Sequence, residues 1–108
     1  MKIMQGDSYP LYFKLTIDGD VLTPDMVSEL EICIGNAMRK LYSKDEVKFD
    51  LDTNSWYIWP TQDETLEMDI GQHSVVVRIK YRNGTKNQVQ GYQIGRINVI
   101  DTISEEVI

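Results

Sequence analysis

The sequence predicts an all-β domain, and three features of it do so. Stretches of apolar–polar alternation recur about seven or eight times, and turn-forming residues separate them every 8 to 12 residues or so. Only one short segment carries a helix signature. A chain of 108 residues has the usual size of one domain, and a domain of that size buries about two-thirds of the surface its unfolded chain exposes. With 42% hydrophobic and 26% charged residues, the composition is that of a chain that folds alone.

Residues 2–5 read as a short edge strand that stops at Gly6-Asp7, with Pro10 where a missing N–H is tolerated. From Leu11 the alternation is regular. Leu11, Phe13, Leu15 and Ile17 take one side, and Tyr12, Lys14 and Thr16 take the other, the period-two pattern of a half-buried strand. Asp18-Gly19-Asp20 turns the chain, and Thr23-Pro24-Asp25 opens a turn or a single helical turn through Met26 and Val27. Leu30, Ile32 and Ile34 are then expected inward, with Glu29, Glu31 and Cys33 on the opposite parity, until Gly35-Asn36 ends the strand. A short segment at 39–42 follows, and then a strand at 47–51 with Val47, Phe49 and Leu51 inward.

Asp52-Thr53-Asn54-Ser55 is a run of turn formers, so 47–51 and 56–59 are expected as the arms of a hairpin closed by Pro60. Thr61-Gln62-Asp63-Glu64 is a capping box, in which Thr61 accepts from a backbone N–H three residues on while Glu64 reaches back. It predicts one short helix near residues 61–66, ended by Gly71. The clearest strand is 73–82, with His73, Val75, Val77, Ile79 and Tyr81 on the core face and Arg78, Lys80 and Arg82 on the other. Asn83-Gly84 is a strong hairpin signal, since both central residues of a type I′ turn need positive φ. In the last strand, 88–100, the apolar parity shifts between Tyr92/Ile94 and Ile97/Val99, which requires an extra residue and predicts a bulge near Gly95. The pattern predicts an immunoglobulin-like Greek-key β-sandwich over residues 1–100, with a small β-barrel as the other arrangement it allows. Residues 101–108 are left as a tail.

The sequence offers little catalytic chemistry. His73 is the only histidine and lies on a core-facing parity, and Cys33 is the only cysteine, with no neighbour in sequence to activate it. The pairs Asp18/Asp20 and Asp50/Asp52 flank turns and do not fit a calcium loop. Glycines occur singly, never as a phosphate-binding loop. The expectation is a chain that is not an enzyme and takes no metal or cofactor. Trp56, Tyr57 and Trp59 put rings on both faces of one strand, which marks an interface anchor or a sugar-stacking platform.

The formal net charge of −6 disfavours nucleic acid and anionic lipid as partners. Its distribution is uneven. Residues 45–69 carry eight acids and one base, whereas residues 70–100 carry five bases and no acid. Arg78, Lys80 and Arg82 form a stripe spaced about 7 Å apart along one face. The stripe reads either as cross-strand partners for Glu29 and Glu31 or as half of a charge-steered contact between subunits. No apolar run spans a bilayer and the start has no signal-peptide core, so the expected place is the cytoplasm.

Four segments resemble small structural proteins of phages and prophages of Gram-positive bacteria. They are Gln5-Gly6-Asp7-Ser8-Tyr9-Pro10, Trp59-Pro60-Thr61-Gln62-Asp63-Glu64-Thr65-Leu66, Val77-Arg78-Ile79-Lys80-Tyr81-Arg82-Asn83-Gly84 and Ile100-Asp101-Thr102-Ile103-Ser104-Glu105-Glu106-Val107-Ile108. Their order is similar to that in the immunoglobulin-like amino-terminal domain of baseplate upper proteins. The resemblance implies a tail or baseplate module that assembles with other phage structural proteins and with itself, in the cytoplasm of the bacterial host and then, where the prophage is active, in the virion. A carbohydrate- or ligand-binding sandwich using the 56–59 aromatics is the other reading.

Overall fold

The computed structural model describes residues 1–35, 42–43, 45–82, 89–104 and 106–108. The expected Asn83-Gly84 turn and most of the 39–42 segment lie outside the described residues. The chain is all-β apart from one short helix and a 3-10 turn at Pro24–Met26. In order, the elements are β1 (Lys2–Met4), β2 (Leu11–Phe13), β3 (Thr16–Ile17), β4 (Asp20–Val21), β5 (Val27–Ile34), β6 (Lys48–Asp50), β7 (Ser55–Ile58), α1 (Gln62–Leu66), β8 (Gly71–Tyr81) and β9 (Val89–Ile100).

Four strands form one sheet in the order β1-β9-β8-β5, and three form a second in the order β2-β7-β6. The only parallel pair among these is β1 with β9. The sheets pack over one core. The larger contributes Ile3, Leu30, Ile32, Ile34, Val75, Val77, Ile79, Ile97 and Val99, and the smaller contributes Leu11, Phe13, Trp56 and Ile58. These are the apolar parities of the alternating runs, buried because a period-two strand can turn only one set of side chains to the core.

The strand expected from Leu11 to Ile17 is broken. β2 pairs with β7 only as far as Phe13 opposite Trp56, because β7 begins at Ser55. Past Phe13 the chain leaves the sheet, and Thr16–Ile17 pairs with Asp20–Val21 in a separate two-residue hairpin around Asp18 and Gly19, both at positive φ. Leu15 stays buried through this break, its carbonyl accepting from the Leu22 N–H at 2.8 Å. The hairpin brings the described strands to nine, above the expected seven or eight. Leu51 also departs from expectation: it sits in the turn after β6 and is exposed, whereas Val47 is buried.

The bulge lies where the parity shift placed it. Val75 pairs with Gly95 and Val76 with Gln93, so Ile94 is the extra residue. Thr61 caps α1 through the capping box, with Glu64 N–H 3.2 Å from Thr61 Oγ1 and Thr61 N–H 2.9 Å from Glu64 Oε1.

Helix α1 holds the segment between β1 and β2. Thr65 is completely buried; its hydroxyl donates to the Asp7 carbonyl at 2.7 Å and accepts from the Gly6 N–H at 3.0 Å. The Gln5 amide donates to the Met68 carbonyl at 2.8 Å, and the Ser8 hydroxyl to the Pro60 carbonyl at 2.9 Å. Gly6 makes this close approach possible. Its φ is +87°, and an added Cβ would already stand 3.4 Å from Leu66 Cδ2.

A Thr65→Val variant keeps the volume and deletes both bonds, leaving Gly6 N–H and Asp7 C=O unsatisfied at a cost of about 1–3 kcal/mol. Urea unfolding measures it. Thr65→Ser should recover more than half of the loss, and a Thr65→Val protein as stable as the parent would show that the bonds contribute nothing.

Candidate functional site

The outer face of the three-stranded sheet carries the aromatic residues that the core leaves over. In register, Tyr57 on β7 lies between Tyr12 on β2 and Lys48 on β6. The Tyr12 and Tyr57 rings stand 5.2 Å apart, centroid to centroid, tilted by 40°. Trp59 follows one step past the end of β7 on the same parity, just before Pro60 stops the strand. Its ring is 58% exposed, and its Nε1–H donates to Ser8 Oγ at 3.2 Å, so one end of the indole is held. Tyr12 is 45% exposed.

Trp56 cannot serve as a surface ring. It is only 5% exposed, its Nε1–H donates to the buried Leu22 carbonyl at 2.8 Å, and Phe49 meets it edge-on at 5.2 Å between centroids. Pairing with Phe13 fixes this, since Trp56 and Ile58 must share the core face with Phe13 and Leu11. The aromatic face therefore consists of Tyr57 and Trp59 from the expected set, joined by Tyr12. Alternation around Leu11 places Tyr12 on the outward parity, but its position opposite Tyr57 depends on long-range register.

Beside this row a cavity of about 390 Å³ opens between β6, β7 and α1, lined by Tyr42, Glu46, Lys48, Tyr57, Trp59 and Glu64. Its floor is Tyr42. That residue bridges to β5 through two 2.9 Å backbone bonds with Ile32 and is buried. Burial, followed by the charge and hydrogen bond of Glu64 and the charge of Glu46, holds the Tyr42 hydroxyl protonated well above the ordinary tyrosine range.

The basic stripe is largely engaged within the chain. Arg78 lies directly opposite Glu31 and pairs with it at 3.0 Å, and Lys80 lies opposite Glu29. Arg82 falls just past β8 and turns back, its guanidinium donating to the Val27 carbonyl at 3.3 Å. An exposed pair such as Arg78–Glu31 contributes about 0–1 kcal/mol and fixes strand register more than it stabilises.

His73 is half-buried rather than a core residue. Its Nε2 lies 2.9 Å from the Asp69 carbonyl and closes the turn between α1 and β8. Cys33 lies on the outer face opposite Val76. Asp50 accepts the Asp52 N–H at 2.9 Å, a backbone role at the turn. Among the described residues, no group of three or more His, Cys, Asp or Glu is placed to hold a metal ion. No helix among them is long and apolar enough to cross a membrane. Comparison of the chain with family models, curated proteins and solved structures finds no match.

The tyrosines set a test in alkali. Burial and the hydrogen bond to Tyr92, with Asp18 nearby, push Tyr81 up to about 12, and Tyr42 is also raised from 10.0. A raised folded pKa gives stability that is intact below the unfolded value and is lost as pH rises toward the folded one. Unfolding free energy should therefore begin to fall above pH 10, with Tyr42 contributing up to about 1.4 kcal/mol per pH unit. Urea titrations from about pH 8 to about pH 12 should show a shallower fall in Tyr42→Phe. An unchanged slope would remove Tyr42 as a cause.

Proposed function

We propose that the chain is a non-catalytic structural or adaptor module of the phage or prophage type, with an immunoglobulin-like Greek-key topology, which works by protein–protein assembly. The topology is supported by the strand orders β1-β9-β8-β5 and β2-β7-β6 and by the crossings between sheets after β1, β2, β5 and β7. Two of the four segments that carry the phage resemblance, 5–10 and 59–66, hold each other through Thr65 and Ser8. That contact supports reading them as one unit.

The observation that carries the assembly reading is the aromatic row of Tyr12, Tyr57 and Trp59 on an outer sheet face. Tyrosine and tryptophan anchor interfaces because they bury a large area for few rotatable bonds. Trp59 is partly fixed beforehand by Ser8, which lowers the entropy lost on binding.

The cavity beside Trp59 favours a second reading, a saccharide or other small ligand stacked on the indole, with Lys48, Glu46 and Glu64 as polar partners. One set of variants separates the two. In the assembly reading, light scattering after size exclusion detects oligomers whose formation weakens by about tenfold or more in Tyr12→Ala/Trp59→Ala. A chain that stays monomeric at every concentration and salt counts against self-assembly. Glycan-array binding that is lost in Trp59→Ala would favour the ligand reading instead.

A further inference from the structure

We propose that the open half of the β9 edge receives the 101–108 tail of a second copy as an added strand, joining copies head to tail. The proposal rests on the assembly reading and adds to the aromatic row a second surface through which copies join.

β9 is twelve residues long, and β1 covers it only from Asn98 to Ile100. Along 89–97 no described residue pairs with that side of the strand. The ladder itself shows which backbone groups are left open. Ile32 gives its N–H and C=O to Tyr42, away from β8. In an antiparallel ladder the facing residue, Val77, then turns its own groups the other way, to Tyr92 on β9. Tyr92 is thereby satisfied by β8, and its neighbours Gly91 and Gln93 aim their N–H and C=O groups out of the sheet.

Edges of this kind are normally blunted by lysine, proline, inward-pointing charge or a bulge. Val89-Gln90-Gly91-Tyr92-Gln93 has none of these, and the bulge comes only after it, at Ile94. Gly91 adds no side chain to the edge, and an added Cβ there would meet Arg78 Cγ at 3.7 Å and the Val77 carbonyl oxygen at 3.9 Å, both ordinary contact distances. Just inside the edge a cavity of about 250 Å³, lined by residues that include Lys14, Ile17, Val77, Tyr92 and Ile94, offers space for the inward side chains of a new strand.

The occupant is argued from charge and pattern. The tail carries Asp101, Glu105 and Glu106 and no base, whereas residues 70–100 carry five bases and no acid. Ile103 and Val107 share one strand parity and are 94% and 55% exposed. Asp101 and Glu105 fall on that parity too, and Thr102, Ser104, Glu106 and Ile108 take the other. Ile103 is held at φ +71°, a conformation that a β-branched residue rarely adopts, and strand pairing would return it to the extended region. Eight extended residues reach about 26 Å, enough to pass Gly91 and Gln93.

The chain's own tail is at the wrong end. It leaves β9 beside β1, and the Ile108 N–H lies 3.1 Å from Gln62 Oε1 on α1, so the open edge must be filled by a neighbour. A contact between two different surfaces propagates from copy to copy.

The test uses a fluorescein-labelled peptide of residues 101–108, titrated with the full chain and followed by anisotropy, together with light scattering of full-chain variants. Binding of the peptide is expected, and weakening by about tenfold in Gly91→Pro, where one outward N–H is lost. Gln93→Glu, an exposed change that cannot disturb the core, should weaken it by about threefold through repulsion of the acidic tail, and more so at low salt. Full-chain Ile103→Asp/Val107→Asp should lose self-association. No peptide binding, or binding indifferent to both edge variants, would overturn the proposal. So would association lost in Gly91→Pro yet kept in Ile103→Asp/Val107→Asp, which would mean that two β9 edges pair with each other. If the tail and edge variants leave oligomers intact while Tyr12→Ala/Trp59→Ala disperses them, the tail is excluded and the assembly reading stands.

Discussion

Each passage of the chain from one sheet to the other leaves backbone groups that no ladder can satisfy, and at the α1 end two such passages satisfy one another. The first runs from β1 to β2 through Gly6 and Asp7, and the second from β7 to β8 through α1. The Thr65 hydroxyl sits between them, donor to one peptide group and acceptor from the next. A buried N–H or C=O without a partner is costly, so neither passage could keep its path if the other moved. The flanking bonds from Gln5 to Met68 and from Ser8 to Pro60 extend the same joint in both directions. What α1 contributes is therefore placement more than helical stability, since five residues are too few to be stable alone.

That joint makes the two ends of the molecule unlike. At the α1 end the two passages between sheets are tied by side chains, and β1 covers the end of β9 within the larger sheet. At the other end β8 and β9 run on for eleven and twelve residues, while the strands facing them are only three or four residues long. The small β3–β4 hairpin and Leu15 cover part of the overhang, and Ile17, Tyr92 and Ile94 remain only partly covered. The bulge at Ile94 is part of the same accommodation. It lets Ile97 and Val99 fill the closed end while Tyr92 and Ile94 face the open one.

The sequence was most legible where one strand or one turn decides the outcome alone. Alternation placed Leu30, Ile32 and Ile34 and Val75, Val77 and Ile79 correctly because a strand with charged residues on one parity has only one way to face. The capping box at Thr61 and Glu64 is likewise local chemistry, complete within four residues. Trp56-Tyr57-Ile58-Trp59 was not legible in this way, since bulky residues occupy both parities and either set could pack. Register against Phe13 and Leu11 decides it, and register is a long-range property. Leu51 failed for a related reason. Its parity matched Val47 and Phe49, but β6 ends at Asp50 and the turn begins at Leu51 itself, where a side chain has no sheet to face. The contact of Gly6-Asp7 with Thr65 was invisible for the same reason, because 58 positions separate Thr65 from Asp7.

The unlike ends also constrain how such a molecule can associate. A body measuring 47 × 27 × 23 Å, with its tail leaving one end and a strand edge that no described residue pairs toward the other, presents surfaces that are not copies of each other. Contacts between two such surfaces repeat with every added copy and close only if the rotation between neighbours divides a full turn. The aromatic row of Tyr12, Tyr57 and Trp59 faces sideways on the smaller sheet, away from both ends. Contacts through it would therefore not compete with contacts at β9 or at the tail. The internal Arg78–Glu31 pairing fits this division. By neutralising part of the basic stripe within one sheet, it leaves less of that charge to act on anything outside the chain.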